Sequence, residues 1–286
     1  MKILSLNGGG SLGYCTAIFL RELEKYIGVP LIDYFDMFAG VSTGSLIAAA
    51  LASGKTVNEI CWMYENGIPK IFKSPKSLVM RIFKPKFKID GLKQVVTDIF
   101  GDSLISEAKK RVLVSAVKIT GGDIKPKFWK SWEDRELFRN VLLASCSAPT
   151  YFEPYNIHED YYIDGGMATN NVSMCAVADA VKMGVSLNSI KVLNIACLSR
   201  WSYEFKNAKG LQGLKDWASA APMVATTSSE PLAVYQCSQI LGENKFKLIQ
   251  SKIDLDIDSV DIDRLKERGF CLFPHLRETK LFLESI

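Results

Sequence analysis

The chain opens on a short apolar run, Ile3 to Leu6, that stops at Asn7 and three glycines. Leu20, Leu23 and Ile27 then recur at helical spacing. Arg21, Glu22, Glu24 and Lys25 take the other faces, Gly28 is a helix stop and Pro30 follows it. A second apolar run reaches Phe38-Ala39. A sharp glycine-flanked turn comes next, then a helix of small residues through Leu46 to Ala52, ending at Gly54. "RVLVSAVKI" (Arg111 to Ile119) and "KVLNIACL" (Lys191 to Leu198) read as a third and a fourth strand, with helical stretches between them. Strands alternating with helices predict a mostly parallel sheet covered on both faces. No internal repeat, low-complexity tract or interdomain linker stands out. The 286 residues are expected to form one α/β domain, a core over about residues 1–200 with an α/β extension over about 201–286 packed on it.

Composition narrows this picture modestly. A hydrophobic fraction of 48% with 23% charged residues suits a chain that buries a sizeable core. The net charge of +4 is too small to imply nucleic acid as a partner. The seven cysteines are scattered, odd in number and lack a C-x-x-C pair, which argues against a disulfide framework and a zinc site and suits a reducing compartment. The N-terminus offers no signal-peptide core, and the most apolar segment, Met37 to Ala52, is too short and glycine-broken to span a bilayer. A cytoplasmic protein, peripheral at membranes, is the expectation.

Two glycine motifs carry the candidate chemistry. Gly8-x-Gly10-x-x-Gly13 satisfies the dinucleotide-binding fingerprint, and Asp33 stands where that fingerprint places its acid. Read instead as Gly8-Gly9-Gly10, the loop is a set of backbone N–H groups for another anion. The second motif, Gly40-Val41-Ser42-Thr43-Gly44, is a G-x-S-x-G between a strand and a helix, the nucleophile elbow. The turn is so tight that both flanks of Ser42 are glycine, and the following helix aims its positive end at the serine. A serine nucleophile needs a proton acceptor. The two histidines, His158 and His275, lie in polar or C-terminal settings that favour surface roles. Asp164 in Asp164-Gly165-Gly166 is the better candidate, although Asp-Gly is also common in hairpin turns. A carboxylate of ordinary pKa accepts a hydroxyl proton only where the oxyanion is stabilised at the same moment, which points back to Gly8-Gly9-Gly10.

Together these segments resemble the patatin-like phospholipase family: "LSLNGGGSLG", "LRELEKYIGVPLIDYFDMFAGVSTGSLIAAALASG", "KIDGLKQVVTDIFGDSLISEAKKRVLVSAVKI", "LLASCSAPTYFEP" and "YYIDGGMATNN". The resemblance implies a three-layer α/β/α fold with a mostly parallel central sheet, and a serine acyl hydrolase with a Ser–Asp dyad and no cofactor or metal. It also implies roles: Ser42 as nucleophile, Asp164 as base, Gly8, Gly9 and Gly10 as oxyanion donors, and Gly40, Gly44, Gly165 and Gly166 as motif support. Three positions depart from the family pattern. Asn7 stands where the family has Asp, Leu12 where it has a basic residue, and Asn170-Asn171 where Asn-Pro is frequent. Backbone donors survive all three, so activity is expected; the lost charge at Leu12 bears on substrate preference.

From Lys70 to Lys88 the chain carries seven basic residues and no acid: Lys70, Lys73, Lys76, Arg81, Lys84, Lys86 and Lys88. Ile71, Phe72, Leu78, Val79, Met80, Ile82, Phe83 and Phe87 are interleaved. Basic charge among large apolar side chains suits an anionic membrane surface, and Pro75 and Pro85 favour a mobile flap over a regular helix. A solvated loop is the plain alternative. "DLDIDSVDID" (Asp254 to Asp263) fails as a calcium loop, because Ser259 and Leu265 occupy its glycine and bidentate-Glu positions; it reads as the acidic start of a helix that stops at Gly269.

The leading expectation is a lipid acyl hydrolase of phospholipase A or lysophospholipase type acting on a membrane phospholipid or lysophospholipid. A thioesterase or acyltransferase would use the same dyad. Other classes are a dinucleotide-binding oxidoreductase, which leaves the elbow and the D-G-G motif unexplained, and a lipid-binding protein that has lost catalysis. A regulatory partner or ligand is also expected, since an unrestrained phospholipase would damage its own membranes.

Overall fold

The computed structural model describes residues 1–77, 79–122, 124–198 and 213–285. Leu78 and the first part of the extension expected from about residue 201 lie outside the described residues. The centre is a sheet of eight strands: β1 (Lys2–Leu6), β2 (Met37–Val41), β3 (Arg111–Lys118), β4 (Lys125–Lys130), β5 (Tyr155–Ile157), β6 (Asp160–Asp164), β7 (Lys191–Leu198) and β8 (Phe246–Lys252). Its order is β5-β6-β3-β2-β1-β7-β8, with β4 also on β3. Strands β3, β2, β1, β7 and β8 run parallel, and β4, β5 and β6 are the antiparallel part.

Alternation along the strands sends side chains into two separate cores, which is what a sheet covered on both faces requires. Leu4, Leu6, Phe38, Val112, Val114, Leu193 and Ile195 pack with the helices of one layer. These include α1 (Gly13–Ile27), α3 (Thr43–Ala52), α4 (Val57–Ile71), α5 (Asp90–Phe100) and α6 (Phe138–Ser145). Ile3, Met37, Ala39, Val41, Leu113 and Val192 pack on the opposite layer, with α7 (Ser173–Lys182) and α8 (Leu214–Leu241). The result is an α/β/α sandwich. Helices α9 (Ile262–Gly269) and α10 (Leu276–Glu284) join the α1 side through Leu265, Phe282 and Leu283. A one-turn helix α2 (Leu31–Tyr34) links α1 to β2.

Local signals account for the helix ends. Gly28 closes α1 in the left-handed conformation at φ 77°, a cap that costs glycine no Cβ clash. Thr56 and Glu59 form a reciprocal capping box at the start of α4. Asp261 accepts from the Arg264 N–H at the start of α9, and Asp254 pairs with Arg264 and Arg268, so the acidic run is used for capping and ion pairing. Among the described residues no group of His, Cys, Asp and Glu is arranged to hold a metal, and no helix is long and apolar enough to cross a membrane.

Candidate active site

Ser42 and Asp164 are far apart in sequence, and β3 brings them together. Strand β2 pairs along β3 from Arg111 to Ser115, ending at Val41↔Ser115. Strand β4 occupies the other edge of β3 over Leu113 to Lys118. Strand β6, antiparallel, therefore continues on the β2 edge, with Asp164↔Ala116. The C-terminal ends of β2 and β6 thus meet head to head at neighbouring positions of β3. The residue after Val41 is Ser42, and the last residue of β6 is Asp164.

The elbow is as tight as its glycines imply. Ser42 sits at φ 52°, ψ −130°, in the positive-φ region that costs a non-glycine residue about 1–3 kcal/mol. Side chains at Gly40 and Gly44 would collide with backbone: Gly44 O for the first, Leu6 O and Asn7 O for the second. The turn is held by hydrogen bonds. Ser42 N–H donates to Ser145 Oγ (3.0 Å), which donates to Ser115 O (2.7 Å). Ser42 O accepts from Ser45 N–H (2.9 Å) and Ser45 Oγ (2.6 Å). Helix α3 begins at Thr43 with its positive end toward the serine. Every residue of α3 is buried, as small residues that bring a helix close to a sheet must be.

Asp164 is 5% exposed, and burial pushes its carboxyl up to about 6. The Gly166 N–H, which donates to the carboxylate (2.7 Å), and the nearby Ser42 side chain oppose that rise. A carboxyl raised in this way holds its proton nearer to neutral pH than an ordinary aspartate does. Gly165 packs where a side chain would strike Ser115. The buried Cys146 thiol lies against Ser42 and Ser45; desolvation and then the nearby Asp164 push it well above its ordinary value, so it stays neutral.

The glycine loop lies over this pair. A Cβ on Gly8 would stand 3.0 Å from the Ser42 Cβ. Gly8 N–H donates to Asn170 Oδ1 (3.0 Å), so that donor is engaged, while the Gly9 and Gly10 N–H groups, in partly exposed residues, have no hydrogen-bond acceptor among the described residues. Gly10 is at φ 59°, and the Ile257 carbonyl, which accepts from Ser11 N–H (2.7 Å), occupies the space a side chain would need. A bound pyrophosphate would compete with Ser42 for this space. Leu12 is fully buried in the core, so the position where a cation was expected does not face a ligand.

The histidines are elsewhere engaged, His158 with Glu136 (3.1 Å) in the β5–β6 turn and His275 with Glu278 beside α10. The basic stretch divides in two. Phe87 is buried against Phe72, Tyr151 and Phe152, and Lys86 pairs with Asp258 and stacks on Phe87 and Tyr151. Backbone bonds from Lys86 and Phe87 to Thr150 O and Tyr151 O anchor this base. Lys86 is therefore a structural ion pair and not an outward charge. Lys73, Arg81, Lys84 and Lys88 are exposed and Lys76 is half-buried, and the tip presents Val79 (71% exposed), Ile82 (73%) and Phe83 (84%) to solvent.

Sequence reasoning did not single out Glu230, Asn194 or Ser145. Glu230, on α8, is 6% exposed and accepts from Asn7, Asn170 and Gln250. The one available signal was Asn7, an amide where a carboxylate was expected.

Comparison with known proteins agrees with this architecture. The sequence profile of the patatin-like phospholipases matches residues 4–174. A cGAMP-activated phospholipase of Escherichia coli (strain TW11681) is 27% identical over 269 residues, covering 85% of this chain and 74% of its own. A cGAMP-activated phospholipase of Pseudomonas aeruginosa is 28% identical, covering 93% and 86%. Patatin-like protein 3 of Arabidopsis thaliana is 26% identical, covering 93% and 77%. Among solved structures, VipD from Legionella pneumophila shares the fold with a TM-score of 0.52 at 11% identity, over 97% of this chain and 66% of that one. The chain belongs to the patatin-like phospholipase family.

Proposed function

We infer that the protein is a lipid acyl hydrolase that cleaves carboxylic esters of membrane phospholipids or lysophospholipids through Ser42 and Asp164. The observation that carries this reading is the meeting of the elbow serine with a buried, proton-avid carboxylate, with Gly8 of the glycine loop packed against Ser42. In the proposed reaction the ester carbonyl lies between Ser42 Oγ and the glycine loop. Ser42 Oγ attacks the carbonyl carbon while its proton passes to Asp164. The oxyanion is stabilised by the Gly9 and Gly10 N–H groups and the N-terminus of α3. Collapse of the tetrahedral intermediate breaks the ester bond, and the leaving alcohol takes the proton from Asp164. Water, giving its proton to Asp164, then releases the fatty acid from acyl-Ser42, and that proton returns to Ser42.

The exposed Val79, Ile82 and Phe83 among exposed basic side chains support delivery of this site to an anionic lipid surface. The test is fatty-acid release from phosphatidylglycerol-containing vesicles by wild type, Ser42→Ala and Asp164→Ala, followed by mass spectrometry. Release by wild type alone supports the reading, and release unchanged in Ser42→Ala overturns it. Relatives are named for activation by cGAMP, so the assay includes arms with and without cGAMP. Stimulation would extend that control to this chain.

A further inference from the structure

Four asparagine amides and one carboxylate form a directed chain behind the glycine loop. Asn171 Nδ2 donates to Asn194 Oδ1 (2.9 Å), Asn194 Nδ2 donates to Asn7 Oδ1 (2.8 Å), and Asn7 Nδ2 donates to Glu230 Oε1 (2.7 Å). On the other side, Asn170 Nδ2 lies 3.5 Å from Glu230 Oε2, and Asn170 Oδ1 accepts the Gly8 N–H at 3.0 Å. Asn170 Nδ2 also reaches back to Gly8 O (3.4 Å), so one carboxamide grips both ends of the Gly8 residue. Gln250 Nε2 completes the set on Glu230 (3.3 Å). Among the described residues, every hydrogen-bond donor to this buried carboxylate is a neutral amide.

We propose that Glu230 is a positioning residue: through Asn7 and Asn170 it fixes the backbone of Gly8 over Ser42 and so aims the Gly9 and Gly10 N–H groups at the reacting carbonyl. The proposal rests on reading that loop as the oxyanion donor set. It accounts for the amide at position 7. An aspartate there would set its carboxylate against Glu230 at the 2.7 Å separation of the present bond, and two carboxylates that close repel unless one takes a proton. The negative group that serves the loop is supplied from α8, and residue 7 has become its donor. Gly8 has no slack to absorb an error: a Cβ there would lie 2.5 Å from Asn170 Oδ1. Burial raises the Glu230 carboxyl, opposed by its three amide donors.

The experiment measures kcat and KM for fatty-acid release, together with fluorophosphonate labelling rate and melting temperature. It compares the wild-type chain with Glu230→Gln, Asn7→Asp, the Asn7→Asp/Glu230→Gln double variant and Asn170→Ala. Glu230→Gln and Asn170→Ala are expected to lose kcat by about tenfold to 100-fold with KM unchanged. Asn7→Asp is expected to lose more, and the double variant to recover. In that variant the amide introduced at position 230 donates to the carboxylate introduced at position 7, which restores the pair with its charge exchanged. Wild-type kcat in Glu230→Gln, or no recovery in the double variant, overturns the proposal. So does a loss that disappears when rates are normalised to folded protein. Should the variants at position 230 not fold, Asn170→Ala with wild-type kcat overturns it. If wild type itself neither labels nor hydrolyses, the acyl-hydrolase reading is what falls.

Discussion

Replacing Asp164 by Asn is expected to stop turnover and to stabilise the fold at neutral pH. The unfolded carboxyl titrates near its ordinary 3.8 and the folded one near 6, with burial as the largest cause. Between those values the folded chain holds the proton more tightly than the unfolded chain. The stabilising contribution is therefore complete below the unfolded value and is lost as pH rises through about 6. A rise of this size corresponds to about 3 kcal/mol of lost stability at pH 8, and to about half of that at pH 5. Asp164 is almost entirely buried, so solvent screening removes little of this. Asparagine keeps an Oδ1 acceptor for the Gly166 N–H and carries no charge to desolvate. Urea unfolding of wild type and Asp164→Asn at pH 5 and pH 8 measures the difference. The variant is expected to be more stable at both, by about 3 kcal/mol at pH 8 and about half as much at pH 5. No gain at pH 8, or an equal gain at both pH values, would refute the claim that a desolvated, proton-avid carboxylate is held ready at the site.

Two further predictions address the loop and the basic tip. Gly8→Ala places a methyl group 2.5 Å from Asn170 Oδ1 and 3.0 Å from the Ser42 Cβ; turnover is expected to fall about 100-fold while circular dichroism stays that of the folded protein. Wild-type turnover in that variant would contradict the crowding. Ile82→Ser with Phe83→Ser removes two exposed apolar side chains, worth about 3 kcal/mol together if both enter lipid, so sedimentation with anionic vesicles is expected to weaken on the order of 100-fold. Unchanged binding would mean that the tip is only a solvated loop.

Much of this fold is legible in local sequence because its signals are local. The apolar runs at Ile3, Phe38, Val112 and Val192 are strands, and the stops at Gly28 and Gly269 end their helices. The elbow is legible for the same reason: a serine at positive φ in so tight a turn leaves no room for a side chain two positions to either side. What periodicity cannot show is the antiparallel return of β6 onto the edge of β3 already used by β2, and that return is what joins Asp164 to Ser42. Nor does sequence show that burial raises Asp164, since the residues that bury it come from distant strands. Glu230 escapes notice because it sits within a long helix without a motif, and its partner Asn7 is 223 positions away. The basic stretch reads as one unit in sequence, yet packing splits it: Phe87 enters the core and Lys86 finds Asp258, which leaves the segment around Ile82 and Phe83 as the outward part.

The central claim is that Ser42 carries the acyl group between lipid and water. The most direct test is to react the protein with a fluorophosphonate or to quench it during phospholipid turnover, digest it, and locate the added mass by tandem mass spectrometry. A single adduct is expected on the peptide containing Ser42, absent in Ser42→Ala, together with fatty acid in the supernatant of wild type alone. An adduct on another residue, or fatty-acid release that persists in Ser42→Ala, would contradict it.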